Sequence, residues 1–249
     1  MTNWKRTPKH LLRMACIRYA TRNFLPGRFI EMGAGTGDIT EYFVKNGFHG
    51  VCHDIGETSL NLLSSRFEKY PQKVTVVERL EKVIDRDFDY LFAFEVLEHI
   101  EQDELVLKEW SKYLKKEGFL VLSVPAHMRK FGPDDLFVGH VRRYEKSELV
   151  KLLVRIGFDD VSVCNYGFPL GNIGRWFAVK ILKKHVVAED VGNQVERSIK
   201  SGVERHSLTS KLGFIFNRFT LGPFVWVQRF FFKYDLGDGY VVTAVWRGN

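Results

Sequence analysis

Between the β-prone run Arg28-Phe-Ile-Glu-Met32 and a helical pattern closed by Gly47 stands Gly33-Ala-Gly-Thr-Gly37. This order of strand, glycine turn and helix constrains the fold more than any other feature of the 249-residue chain. Glycines at 33, 35 and 37 let the backbone turn tightly and lie close to a bound nucleotide, and the helix start supplies unpaired N–H groups. A phosphate-binding loop is excluded, because the Gly-Lys-Ser/Thr ending is missing. NAD, FAD and other adenosine ligands stay open. Asp54, just past the next strand, is placed to accept hydrogen bonds from a ribose diol.

The alternation continues along the chain. Strands are expected at 48–53, 73–77, 88–94, 118–125, 159–166 and 240–246, with helices at 8–23, 59–70, 104–114 and 146–158. Continuously apolar strands separated by helices indicate a parallel sheet covered on both faces, hence a doubly wound α/β domain with its ligand site beyond the carboxyl ends of the strands. About seventy residues separate the last two strands, too long for a bare connection. A helix is expected at 171–186 and a mobile polar stretch at 188–207. The segment 211–234 is rich in phenylalanine and interleaved with Arg218, Arg229 and Lys233. Charge and proline break it too often for a transmembrane helix, so it reads as a cap, a dimer surface or an interfacial element. The expected organisation is an N-terminal arm at 1–27, a core at 28–165 and 240–249, and an aromatic-rich insertion at 166–239.

Charge is segregated. Residues 1–28 carry seven Lys/Arg and no acid, residues 29–128 carry 11 basic and 18 acidic side chains, and 129–249 carry 19 basic and 12 acidic. Basic ends folded over an acidic middle would frame a cleft suited to an anionic substrate or membrane face. Cys16, Cys52 and Cys164 show no zinc-ligand rhythm, so a reduced, cytoplasmic protein without a metal is expected.

Further on, Phe94-Glu-Val-Leu-Glu-His99 ends the fourth strand. With Glu31 through Gly37, Asp54 and the apolar run Gly118–Pro125, this resembles the class I S-adenosylmethionine-dependent methyltransferases, especially the small-molecule branch that includes ubiquinone and menaquinone biosynthesis enzymes. The resemblance covers about 28–165 and 240–246. It implies a Rossmann-like seven-stranded sheet whose last strand is antiparallel and inserted between strands five and six. It also implies an S-adenosylmethionine site, with S-adenosylhomocysteine as product. In that site Gly33, Ala34, Gly35 and Gly37 contact the methionyl part, Glu31 helps hold its ammonium, and Asp54 with Ile55 meets the ribose. After the third strand the chain departs from the family pattern with Glu78-Arg79-Leu80-Glu81, so that either Glu78 or the Arg79 backbone with Leu80, the Arg79 side chain turned away, lies near the adenine; Phe94 and Glu95 lie near the methyl.

Methyl transfer needs an acceptor lone pair aligned behind the methyl and often a base. Base candidates are His127, His140 and Tyr144, with His140-Val-Arg-Arg-Tyr144 similar to a signature of some of these methyltransferases. Arg142 and Arg143 are candidates for clamping a carboxylate or phosphate, or else for salt bridges that hold the loop down. His99 reads mainly as a junction-stabilising residue, and Asp134 and Asp135 as loop residues. A histidine base and the lack of an Asn/Asp-Pro-Pro-Tyr/Phe loop favour methylation of an oxygen over a nitrogen of a small acceptor and disfavour nucleic acid, while the basic ends and the arginine pair suit an anionic acceptor. A lipid-linked acceptor at a membrane surface, with the chain peripheral there, is one alternative. A nicotinamide oxidoreductase is another, although no Tyr-x-x-x-Lys pair is evident. A homodimer through the C-terminal aromatics is also compatible.

Overall fold

The computed structural model describes residues 7–172 and 218–248. Seven strands, β1 (Arg28–Met32), β2 (His49–His53), β3 (Val74–Val77), β4 (Phe88–Phe94), β5 (Leu114–Pro125), β6 (Phe158–Tyr166) and β7 (Gly239–Trp246), form one sheet in the order β3-β2-β1-β4-β5-β7-β6. β1 runs parallel to β2 and β4, and β4 to β5, while β7 is antiparallel to both β5 and β6. The fold is the one that the resemblance implies.

The sheet is buried on both faces because its central strands are apolar at successive positions. β4 sends Leu91 and Ala93 into one core and Tyr90, Phe92 and Phe94 into the other. Phe92 stacks on Phe29 and Phe43 at centroid separations of 5.5 and 4.4 Å, adding aromatic packing to the area removed from water.

The described helices are α1 (Pro8–Ala20), α2 (Asp38–Lys45), α3 (Glu57–Phe67), α4 (Asp103–Ser111), α5 (Pro133–Val138), α6 (Lys146–Ile156) and α7 (Arg218–Val227). Thr7 caps α1 by accepting the His10 N–H on Oγ1 at 3.2 Å, with Pro8 in the first turn. Gly157, at φ 116°, ends α6. α4 stops at Ser111, short of the expected 114, because β5 starts early: Phe88 pairs with Leu114, and the register shifts before Tyr90 pairs with Phe119. The polar Lys115-Lys-Glu117 that reads as a loop is absorbed in that irregularity.

The helix expected at 171–186 and the polar stretch at 188–207 lie, but for residues 171 and 172, outside the described residues. In what is described of the aromatic segment, Gln228 is buried and accepts the Gly167 N–H at 3.2 Å while donating to the Leu12 carbonyl at 3.0 Å. Phe232 is buried against Tyr19. This end of the insertion therefore fastens α1 to the end of β6. Phe224, Trp226, Phe230 and Tyr234 stay exposed. No helix among the described residues is long and apolar enough to cross a membrane.

Candidate functional site

The site opens at the carboxyl ends of β1, β2 and β4. Gly33 has φ +64°, and a Cβ there would sit 2.6 Å from Val96 Cγ2, so the glycine turn lies directly against the segment that follows β4. Any side chain at 33 would force those two parts of the site apart. Gly37 is equally confined, since a Cβ would meet Leu63 and Phe67 at 2.8 Å.

Asp54 closes β2 and is nearly buried; its carboxylate accepts the Gly35 N–H at 2.8 Å and the Gly56 N–H at 2.9 Å. It thus fastens the glycine turn to the end of β2. Each carboxylate oxygen has a second lone pair, which suits a ribose diol. Next to it Ile55 is 62% exposed, an unusual position for a large aliphatic side chain and a fitting one under a flat adenine. Leu80 is half-buried and Arg79 exposed at the end of β3. Glu31 is fully buried at the end of β1 and accepts the Thr40 hydroxyl at 2.5 Å. Burial pushes its carboxyl up to about 8, the Thr40 bond opposing and the Asp54 charge adding. A buried carboxyl short of a cation, a ribose-type carboxylate and an exposed apolar shelf fit the ammonium, diol and base of S-adenosylmethionine.

At the methyl end the residues separate. Phe94 turns its ring into the core against Phe43 and Phe92, leaving its backbone for the site. Glu95 has φ +57°, strained for a residue with a side chain. Its carboxylate meets Lys9 Nζ at 3.4 Å and Arg13 Nη1 at 3.1 Å, and accepts the Ser123 and Tyr166 hydroxyls at 3.1 and 3.2 Å. Burial alone would raise Glu95, but Lys9, Arg13, His140 and Ser123 hold it well below the usual carboxylate range. Lys9 and Arg13 of the basic N-terminal stretch are therefore paired with an acid of the central segment. His10 of α1 also meets Asp38 of α2 at 2.7 Å.

His99 and His140 come together with their rings 4.8 Å apart. His140 Nδ1 lies 2.8 Å from Asp135 Oδ1, and its Nε2 is 3.6 Å from Glu98 Oε1. His99 Nδ1 lies 3.1 Å from the Gly139 carbonyl, so this histidine ties the β4 junction to the crossing segment rather than stabilising the junction alone. Burial and the neighbouring His140 push His99 down to about 4.

The other candidates point elsewhere. Tyr144 donates to Asp103 Oδ2 at 2.9 Å, and its buried hydroxyl is raised far above its ordinary value. His127 is buried, with Glu145 and Asp235 at 3.5 and 3.4 Å and the Tyr240 ring beside it. Arg142 binds Asp103 at 2.8 Å and the Glu101 carbonyl at 2.6 Å. The buried Arg143 donates from Nε to both Asp135 oxygens and from Nη1 to Asp238 and the Ala126 carbonyl. Both guanidiniums are thus engaged inside the chain, which is the salt-bridge alternative of the sequence reading. Asp135, read there as a loop residue, is the buried hub for His140 and Arg143. Its only sequence signal is its place in a short helix opened by Pro133, five residues before His140. Glu98, within Glu95-Val-Leu-Glu98-His99, is buried too, and its local sequence carries no signal of that.

This fold, with a glycine turn clasped by the carboxylate that ends the second strand, defines a nucleotide-binding transferase of the S-adenosylmethionine class. Residues 4–163 match the family described as methyltransferase domain, and the chain belongs to that family. Two Mycobacterium tuberculosis proteins, each a probable S-adenosylmethionine-dependent methyltransferase, are 26% identical over 139 residues, covering 54% of this chain and 50% of theirs. The chain thus spans about half the length of the curated relatives it matches. A SAM-dependent methyltransferase from Archaeoglobus fulgidus superposes with a TM-score of 0.56 at 18% identity, over 94% of this chain and 93% of its own. Phosphoethanolamine N-methyltransferase 2 from Haemonchus contortus, in complex with S-adenosylmethionine, does so with a TM-score of 0.56 at 14% identity, over 94% and 52%. These two likenesses show the fold. The domain is an S-adenosylmethionine-dependent methyltransferase domain.

Asp54→Ala is expected to weaken S-adenosylmethionine binding roughly 10- to 150-fold, the worth of one hydrogen bond to a charged group. Calorimetric titration checks it, and unchanged affinity would remove Asp54 from the ribose contact.

Proposed function

We propose that the chain transfers the sulfonium methyl of S-adenosylmethionine to a hydroxyl oxygen of a small acceptor. The observation that carries this reading is the convergence of Glu98, His99 and His140 where β4 ends, beside the glycine turn, with His140 oriented by Asp135. The acceptor oxygen attacks the methyl carbon, the carbon–sulfur bond breaks with its electron pair left on sulfur, and the hydroxyl proton is given up at this cluster. Of the three base candidates, His140 alone stands in it. Alignment and water exclusion supply the rest, since the sulfonium is already a good leaving group.

The anionic-acceptor refinement draws on Arg142 and Arg143. With both engaged by Asp103, Asp135 and Asp238, hydroxyl chemistry is the better supported of the two features. A second reading, a lipid-linked acceptor, is favoured by the exposed Phe224, Trp226 and Phe230 beside the exposed Arg229.

Labelled methyl transfer into a host-cell extract, followed by organic–aqueous partition, separates the two readings. Label in the aqueous phase supports a soluble acceptor, and label in the organic phase the lipid-linked one. His140→Asn is expected to lower turnover roughly 100- to 10,000-fold while S-adenosylmethionine affinity stays near that of the wild type. Undiminished turnover would sink the role of His140.

A further inference from the structure

The geometry points to a divalent transition-metal site built from Glu98, His99 and His140. One suitable ligand atom from each of the three residues lies within 4.8 Å of the other two. Independently, both carboxylate oxygens of Glu98 are buried without a hydrogen-bond partner, and the residue is 0% exposed. Leaving a carboxylate so placed is costly, and such groups are normally paired, protonated or bound to a metal. The nearby cations do not serve it: Lys9 and Arg13 are drawn to Glu95, and Glu98 has no lysine or arginine within ion-pair distance among the described residues.

The two imidazoles are arranged as ligands. His140 Nδ1 faces Asp135 Oδ1 at 2.8 Å and His99 Nδ1 faces the Gly139 carbonyl at 3.1 Å. Each of these acceptors places the ring proton on Nδ1 and leaves the Nε2 lone pair for an ion. The Asp135–His140 pair is the carboxylate–histidine arrangement that orients and strengthens metal-bound histidines. The buried Arg143 holds Asp135 from the other side at 2.8 and 2.9 Å, so the orienting carboxylate is itself fixed. The separation of His140 Nε2 from Glu98 Oε1, 3.6 Å, is close to the roughly 3.3 Å between neighbouring ligands at tetrahedral bond lengths of about 2.0–2.1 Å. Two imidazoles and one carboxylate suit Zn2+, Fe2+ or Mn2+ better than Ca2+, and they leave coordination positions open.

This site deepens the proposed reaction. Where it serves that reaction, the ion takes the part given above to a free His140, whose Nε2 lone pair is then committed to the metal: the acceptor hydroxyl occupies an open position and loses its proton to solvent on binding. The methyl then passes from sulfur to the metal-held oxygen, and the new carbon–oxygen bond replaces the carbon–sulfur bond. Only this consequence rests on the proposed O-methylation; metal binding does not.

The test is titration of the untagged full chain, freed of metal, with Co2+ alone, read by visible absorption. Saturable bands at one equivalent are expected. Zn2+ should displace them, and they should be lost in both Glu98→Gln and His99→Asn, whose folding is checked by circular dichroism. Absence of bands in the folded wild type, or the same bands in both variants, would overturn the site. Because neither acceptor nor turnover enters this readout, a negative result would leave O-methylation to be judged by the transfer assay.

Discussion

Arg143→Ala is expected to cost roughly 3–5 kcal/mol of stability, the range for breaking a buried ion pair by removing one partner. The side chain is 2% exposed, with Nε 2.8 and 2.9 Å from the two Asp135 oxygens and Nη1 3.2 Å from Asp238 Oδ1. Its removal leaves two buried carboxylates facing the space it filled. Burial alone would raise Asp135, and the bonds from His140 and Arg143 are what hold it well below the usual carboxylate range. Above the unfolded carboxylate range that depression stabilises the fold, and the benefit is lost as pH falls through the folded value. In the variant Asp135 protonates at higher pH, so the deficit against the wild type is largest near neutrality and narrows toward acid. For a domain of this size the melting temperature should fall by about 6–20 °C, with Arg143→Lys in between because an ammonium cannot reproduce the fork. Differential scanning calorimetry from pH 4 to 8 checks this. A substrate-clamping arginine would behave differently, weakening acceptor binding with the melting temperature unmoved.

That contrast shows where sequence reading stops. The glycine turn, the apolar strands and the helical periodicity are local patterns, and they place β1, β2 and β4 within a residue of their observed bounds. The position of β7 between β5 and β6 is not local; it came with the family resemblance. Arg142 and Arg143 stand next to each other in a polar stretch, and only the fold brings Asp103 and Asp238 to them. Nothing local in Glu-Val-Leu-Glu-His marks Glu98 as interior; the close approach of Gly33 to Val96 and the return of Val141 N–H to the Glu98 carbonyl bury it. The pairing of Lys9 and Arg13 with Glu95 spans more than eighty positions, and segregation of charge along the chain was its one legible trace. The seam of Gln228 with Leu12 joins residues 216 positions apart and left none.

Glu31→Gln separates a structural from a ligand-holding carboxyl, because the two roles move opposite readouts. With burial pushing the folded carboxyl up to about 8, the folded chain keeps a proton there that the unfolded chain releases near 4.3. Stability from this residue is therefore greatest below the unfolded value and declines as pH rises, until the folded carboxyl also ionises near 8. Over that window the change is on the order of 5 kcal/mol, and glutamine, which does not ionise, removes it. The variant should gain melting temperature relative to the wild type between pH 5 and 8. Ligand binding should respond the other way. An ammonium brought beside Glu31 favours the carboxylate, so S-adenosylmethionine binding to the wild type at pH 7 should release close to one proton and tighten as pH rises toward 8. In Glu31→Gln proton release and this pH dependence should vanish, and affinity at pH 8 should fall roughly 10- to 150-fold, the worth of a charge-assisted hydrogen bond of 1.5–3 kcal/mol. Calorimetry in two buffers of different ionisation enthalpy reads the proton directly. Equal heats in both buffers, with affinity unchanged in the variant, would place the ammonium elsewhere and leave Glu31 as the partner of Thr40 alone.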